Sequence, residues 1–423
     1  MVKRIVFVDF LRGLAIFYMI ILHAFLYRVV NQYKPLFGVI MTTSPIIARI
    51  VAAPFIFFSL WGSIFSMFAG IVFFYRVRVD SNSIENFSPC RYFLRRGLSG
   101  TALIITHYIW LVLFSPKSIE HPGIPTYSLI TGTIENLKFS PLNVMHFSTT
   151  GLIESLGWIL IIFSILGYFV FHHKKAQTKK FTVYFSSALL VSIVITILLD
   201  ILIGDPYIFF KILYDNHRIA AVIFFGKISC NRFSLFPLVI FALCGAFIGY
   251  FLGRSTNEKN LVGVLIGIGS ICILGFIIYL ILGFNMLEAY ISSYIPLPLH
   301  LLNLGSELVF IIMFYLIFKK YQAKVREKDV GIIRYFQMYS NSSLTVYLFE
   351  PFISILLFQL VQYLYKQPIS ENFFVWTGFL VLNALLWLII LLIWRKFDHK
   401  FSVEWIVSKI NRKKENTSTR FSQ

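Results

Sequence analysis

Two side chains near the N-terminus have types and a spacing suited to chemistry inside an apolar segment. Arg12 and His23 stand eleven positions apart in a stretch that is otherwise almost wholly apolar. Eleven helical steps of about 100° return to nearly the same face and rise about 16 Å. Ile16 and Met19 continue that stripe. One helix face therefore carries a guanidinium near one end and an imidazole past its middle. Imidazole titrates near neutral pH and can take a proton from an attacking hydroxyl or amine, which makes His23 a candidate general base. A plain alternative is a packed polar residue bonded to a neighbouring helix. Asp9 lies three residues before Arg12, on the same face, where the two can pair.

Other ionisable groups stand in apolar runs, where they are costly and mark functional candidates. They are His107, Glu154, Asp200, Glu307 and Glu350, with His146 at the start of another run, at a depth similar to His23. A carboxylate beside an imidazole holds its tautomer and stabilises the imidazolium. Glu350 and His146 are thus candidates to orient His23, if the fold brings them to it. The chain has no phosphate-loop, H-E-x-x-H, G-x-S-x-G or Rossmann glycine pattern, and its histidines lack metal-ligand spacing, so no metal is expected.

Those residues need elements to position them, and composition says which. Of 423 residues 58% are hydrophobic, the mean hydropathy is +0.77, and 13% are charged. A soluble domain carries about 25% charge. Apolar runs long enough to cross a bilayer recur along the whole chain, predicting an all-α, polytopic membrane protein with about ten transmembrane helices. They are expected near 8–30, 50–75, 97–115, 147–171, 181–203, 233–253, 261–285, 299–319, 339–363 and 373–394. This excludes a secreted globular enzyme, a disordered chain and a disulfide scaffold. Four cysteines, Cys90, Cys230, Cys244 and Cys272, imply no pairing.

The balance of 38 Lys and Arg against 19 Asp and Glu leaves a net +19. That need not mean nucleic acid, because cations collect in cytoplasmic loops. Lys3 and Arg4 put the N-terminus in the cytoplasm. Alternate loops then carry most of the cations, including Arg76, Arg78, Arg91, Arg95 and Arg96, and both termini are expected in the cytoplasm. Residues 1–396 read as one membrane domain, and 397–423 as a cytoplasmic tail whose Phe397, Phe401, Trp405 and Ile406 suggest an amphipathic helix on the inner leaflet. Two long loops, 116–146 and 204–232, are expected on the outer side, where an interfacial helix would account for the second.

The run Asp9-Phe10-Leu11-Arg12-Gly13-Leu14-Ala15-Ile16, followed by His23, resembles the start of the transmembrane acyltransferase superfamily. Arg12 and His23 match the Arg-x10-His signature of the acyltransferase-3 proteins. The fuller pattern is similar to the heparan-α-glucosaminide N-acetyltransferase-like branch. Trp61 to Gly70, Tyr92 to Gly97, Asn143 to His146, Phe236 to Gly249 and Asn341 to Phe349 each resemble a block of that branch. There are departures. In the animal heparan enzyme an Asn stands where His23 stands, and its catalytic His lies in the following loop, roughly where this chain has Lys34. Leu238 replaces a usual Trp, and Glu350 a usual His. The heparan substrate is therefore not carried over, and the catalytic role falls to His23.

The resemblance implies an integral-membrane enzyme of the cell membrane. It would move an acyl group, acetyl from cytoplasmic acetyl-CoA, to a hydroxyl or amine of an extracytoplasmic glycan or similar acceptor. Phosphates call for arginine and lysine. Arg12, with its partner Asp9, and Arg91, Arg95 and Arg96 would hold the nucleotide end, and the pantetheine arm would run along the first helix towards His23. Expected partners are acyl-CoA, the acceptor and the lipid bilayer, not nucleic acid; self-association into a homo-oligomer stays open. A competing reading is a proton-coupled transporter or flippase of lipid-linked or sugar substrates, which would also use in-span acids and histidines.

Overall fold

The computed structural model describes residues 5–30, 46, 61–83, 87–116, 118–120, 124–142, 144–148, 150–172, 178–204, 206–230, 233–253, 258–284, 296–320, 331–400 and 402–405. Nearly all of this is helix, as the apolar runs require. A bilayer leaves the backbone no water to bond, so each spanning segment must satisfy its own N–H and C=O groups. The long helices are α1 (Val6–Ala24, continued by a π-turn, Phe25–Val29), α2 (Ile64–Ser83) and α3 (Pro89–Leu113). After a loop helix, α4 (Leu129–Asn136), come α5 (Leu152–Phe171) and α6 (Thr178–Ile203). Two short helices follow, α7 (Pro206–Asp215) and α8 (Ile219–Phe225), then α9 (Leu235–Leu252), α10 (Glu258–Ile281) and α11 (Leu297–Lys320). The last are α12 (Gly331–Asn341), α13 (Ser343–Tyr365) and α14 (Phe373–Lys396).

Among the described residues nine helices are long and apolar enough to cross a membrane, against the ten expected. The difference is α2. Its described part begins at Ile64 after a 3-10 turn, Trp61–Ser63, and ends in Arg76, Arg78 and Asp80; residues 50–60 of the expected span lie outside the described residues. Arg12, Arg76, Arg91, Arg95 and Arg96 gather at one end of the bundle, the arginine end. The opposite end holds the loop helices α4, α7 and α8.

Close backbone approaches set the core. A Cβ on Gly70 of α2 would stand 2.1 Å from the Ala242 carbonyl oxygen of α9, and one on Gly245 of α9 2.0 Å from that of Met67. Small residues let two helices meet at backbone distance, where dispersion replaces the absent hydrophobic drive. Helix α9 is accordingly 67% buried over its apolar window, whereas α6 and α10, at 17%, face outward to lipid. Gly13 does the same for α1, its missing Cβ making room for the Phe336 carbonyl of α12. That contact brings Arg12 to the α12–α13 junction.

The two long loops have structure of their own. The described residues of the first form a hairpin, β1 (Ser118–Glu120) against β2 (Ile124–Thr126), then α4 and a 3-10 turn at Val144–Ser148. Those of the second form α7, α8 and a second π-turn, Gly226–Cys230. The described part of the tail differs from expectation at 397–400 and is helical at 403–405. Residues 397–400 turn rather than continue as helix, with positive φ at Asp398 and His399. The reason lies at the start of α13. Glu404 accepts from the Leu344 N–H and from Thr345 Oγ1 at 2.6 Å, and His399 Nδ1 meets Ser342 Oγ at 2.9 Å. These contacts satisfy amides that open a helix and have no partner within it. Residues 406–423 of the expected amphipathic helix lie outside the described residues.

Candidate functional site

Helix α1 carries the stripe read from its sequence. Ile16 and Met19 are buried, Arg12 half-buried and His23 half-buried. Helix α13 packs beside it and sets Glu350, fully buried, against the imidazole: His23 Nδ1 lies 3.3 Å from Glu350 Oε2. The structure thus brings together two of the three residues expected to act in catalysis. Neither Glu350 oxygen has a hydrogen-bond partner among the described residues. The carboxylate faces Nδ1, which leaves Nε2 as the ring nitrogen available to a substrate. Tyr27 and Tyr347 close on the imidazole edge-on, with ring centroids at 5.1 and 6.2 Å.

His146, the third expected residue, has a different setting. Its Nε2 meets Ser115 Oγ at 2.7 Å and the Leu111 carbonyl oxygen at 3.0 Å, so it is anchored to the end of α3. Burial pushes its imidazole down to about 4, opposed only in part by the bond to Leu111. A ring kept neutral and fully engaged this way locks the loop 116–146 to the bundle; it does not orient His23.

Arg12, Arg91, Arg95 and Arg96 line one cleft of about 1080 Å³. Arg76, read from sequence only as an insertion signal, joins them there. Arg12 is fixed by three contacts: Nε donates to Ser340 Oγ at 2.8 Å, and Nη2 donates to the Ser340 carbonyl at 3.0 Å and lies 3.4 Å from Asp9 Oδ1. Asp9 holds Arg12 without lining the cleft itself. Arg96 stacks over Tyr92, which donates to Asp80. Away from the arginines the walls turn apolar, through Ile16, Phe68, Val72, Leu103, Leu156, Leu152 and Ile153 to Tyr347. There the cleft stops. Tyr347 stands between it and His23, and itself packs against Trp110, whose Nε1 donates to the Leu348 carbonyl at 2.7 Å. His23 is not among the residues that line the cleft, so the passage expected from Arg12 to His23 is not continuous.

The structure also assembles groups the sequence left scattered. Glu154 of α5 takes Lys227 Nζ at 2.9 Å on both oxygens and the Tyr108 hydroxyl at 3.0 Å, with His107 Nε2 at 3.4 Å. Glu307 accepts from Ser63 at 2.6 Å. Arg28, two residues from the end of the expected first span and unremarked in sequence, is buried and bonded to the Pro351 carbonyl, next to Glu350 in α13. Among the described residues no three His, Cys, Asp or Glu are placed to hold a metal ion. Comparison with protein families, with characterised proteins and with solved structures finds no match to this chain.

Proposed function

We propose that the protein is an integral-membrane acyltransferase of the cell membrane, moving an acyl group, acetyl from acetyl-CoA, to a hydroxyl or amine of a glycan or similar acceptor. The observation that carries this reading is a single cleft that begins in five arginines and ends one aromatic ring from an imidazole–carboxylate pair. Its volume lies at the upper limit of small-molecule sites, and its division into cationic mouth and apolar interior fits a ligand with phosphates at one end and a slender thioester arm at the other. The Arg12–His23 spacing that resembles the transmembrane acyltransferases supports the same reading.

The chemistry then runs through this chain's own groups. Arg12, Arg76, Arg91, Arg95 and Arg96 bind phosphates. The acceptor oxygen or nitrogen attacks the thioester carbon, its proton passes to His23 Nε2, and the carbon–sulfur bond breaks as the new acyl bond forms. The thiolate leaves and takes up the proton that His23 gives back, which restores the neutral base. Glu350, 3.3 Å from Nδ1, stabilises the imidazolium that forms.

Purified protein with labelled acetyl-CoA, read by mass spectrometry of envelope glycans, tests this. His23→Ala should cut transfer by about 10²–10⁴-fold while acetyl-CoA still binds. Full activity in that variant refutes the assignment. Glu307, buried with Ser63 as its partner and no cation acting on it among the described residues, is what a proton-coupled transporter would need. Uptake driven by a proton gradient in proteoliposomes, without acetyl-CoA turnover, would favour that second reading.

A further inference from the structure

Arg28 follows His23 by five residues, on the π-turn that ends α1. In a regular helix five steps would carry it about 140° away from His23. The wider π-turn rotates less per residue and brings it back towards the same side, and such turns recur at functional sites. The guanidinium is almost wholly buried and is held on every edge. Nη2 donates to the Pro351 carbonyl at 2.9 Å, Nε to Ser354 Oγ at 3.4 Å, and Nη1 lies 3.6 Å from Glu135 Oε2 of α4. Two carboxylates act on this one cation, Glu135 and Glu350.

The backbone explains why Glu350 needs such a partner. Pro351 follows it directly and has no N–H, so the helix ladder is interrupted where Glu350 must be held. Arg28 binds the carbonyl of that proline, the residue that follows Glu350. Among the described residues the titratable groups that face His23 are Glu350 and Tyr347 from α13 and Tyr27 from its own turn; none of these is a cation. Without Arg28 this stretch of α13 would lose its tie to the end of α1, and Glu350 would be free to swing away from His23.

We propose that Arg28 is a positioning residue that, through its bond to the Pro351 carbonyl, holds Glu350 in place beside His23, and that it acts on the chemistry only through Glu350. This rests on the acyltransferase reading. The alternative is a strut in which Arg28 merely ties α4 to the bundle through Glu135. The two separate cleanly, because Glu135 and the Pro351 carbonyl meet different nitrogens of the guanidinium, Nη1 and Nη2. Under the proposal, removing Glu135 leaves Arg28 on Pro351 and does little harm; under the strut it is as damaging as losing Arg28.

The experiment uses the full-length protein in nanodiscs, with Arg28→Lys, Glu135→Gln, the double Arg28→Gln/Glu135→Gln, and each Arg28 change repeated in a Glu350→Gln background. Two readouts are taken: kcat and KM for acetyl-CoA, and the rate at which diethyl pyrocarbonate modifies His23 without acetyl-CoA, followed by peptide mass spectrometry. The double variant should lose about 10- to 100-fold in kcat with KM nearly unchanged, and its His23 modification rate should change several-fold. Arg28→Lys should recover part of both, and Glu135→Gln should stay within about 3-fold of wild type. In the Glu350→Gln background the Arg28 changes should add nothing further. Equal losses in Glu135→Gln and the double variant, or an unchanged His23 modification rate, overturn the proposal. If the wild type turns over no acetyl-CoA, the acyltransferase reading fails, and the modification arm still decides whether Arg28 acts on His23. Should the double variant not fold, Arg28→Lys against Glu135→Gln gives the same contrast with both carboxylates' cation retained.

Discussion

His23 and Glu350 come from opposite ends of the chain, and their 3.3 Å contact gives each a task the other makes useful. A buried carboxylate without hydrogen bonds is costly, yet here it faces the one imidazole that borders the cleft's closing ring. Glu350→Gln keeps the shape and removes the charge; it should lower acyl transfer at least about 10-fold and leave acetyl-CoA affinity alone, measured by steady-state kinetics beside equilibrium binding. His146 makes the contrary case. Sequence depth suggested a catalytic partner, but burial holds it neutral with a pKa near 4, well under the value of about 6.5 in an unfolded chain. The unfolded state therefore takes up a proton first as pH falls. Stability contributed by the neutral ring is complete above about 6.5 and is lost progressively down to about 4, by roughly 3 kcal/mol at most. His146→Asn should flatten that part of a melting-temperature profile against pH, and parallel wild-type and variant curves would contradict the account.

At the scale of elements, the arrangement depends on where backbones touch. The Gly245 position of α9 leaves 2.0 Å between a hypothetical Cβ and the Met67 carbonyl, while Gly267 of α10 has nothing within 4 Å. Gly245→Ala should therefore force α2 and α9 apart and cost more than about 2 kcal/mol. Gly267→Ala should be neutral or gain up to about 1 kcal/mol from helix propensity. Thermal unfolding of both in one detergent decides; equal shifts would mean that close approach is not what seats α2. Because α2 carries Arg76 and one wall of the cleft, the first variant should also weaken acetyl-CoA binding. The tail contact belongs to this scale too. Glu404 caps α13 directly below the arginines, and Glu404→Gln should cost about 1 kcal/mol.

For the whole molecule, the excess of cations divides into two parts. Most of it accompanies helix ends, as insertion requires; five arginines instead converge on one cleft. Replacing Arg95 and Arg96 with Gln should weaken acetyl-CoA binding by about 10-fold or more, with a shallower dependence on salt. Titration calorimetry at two ionic strengths checks both. Orientation is tested by Cys90, exposed at the start of α3, whereas Cys244 and Cys272 are buried. In a Cys230→Ser background, a membrane-impermeant maleimide should label inside-out vesicles and not right-side-out ones if the arginine end faces the cytoplasm. The amino-acid sequence by itself determined the helical membrane class, the rough positions of the spans, and a short roster of residues too costly to be incidental. Hydropathy and helical period are properties of some twenty consecutive residues, so they can be read locally. Which of those residues meet is decided by which helix faces pack together, and that depends on contacts hundreds of positions apart. Only the tertiary structure could join His23 to Glu350, send His146 to α3, draw Arg76 into the cleft, and, through one π-turn, set Arg28 beside a carboxylate that a regular helix would have turned it away from.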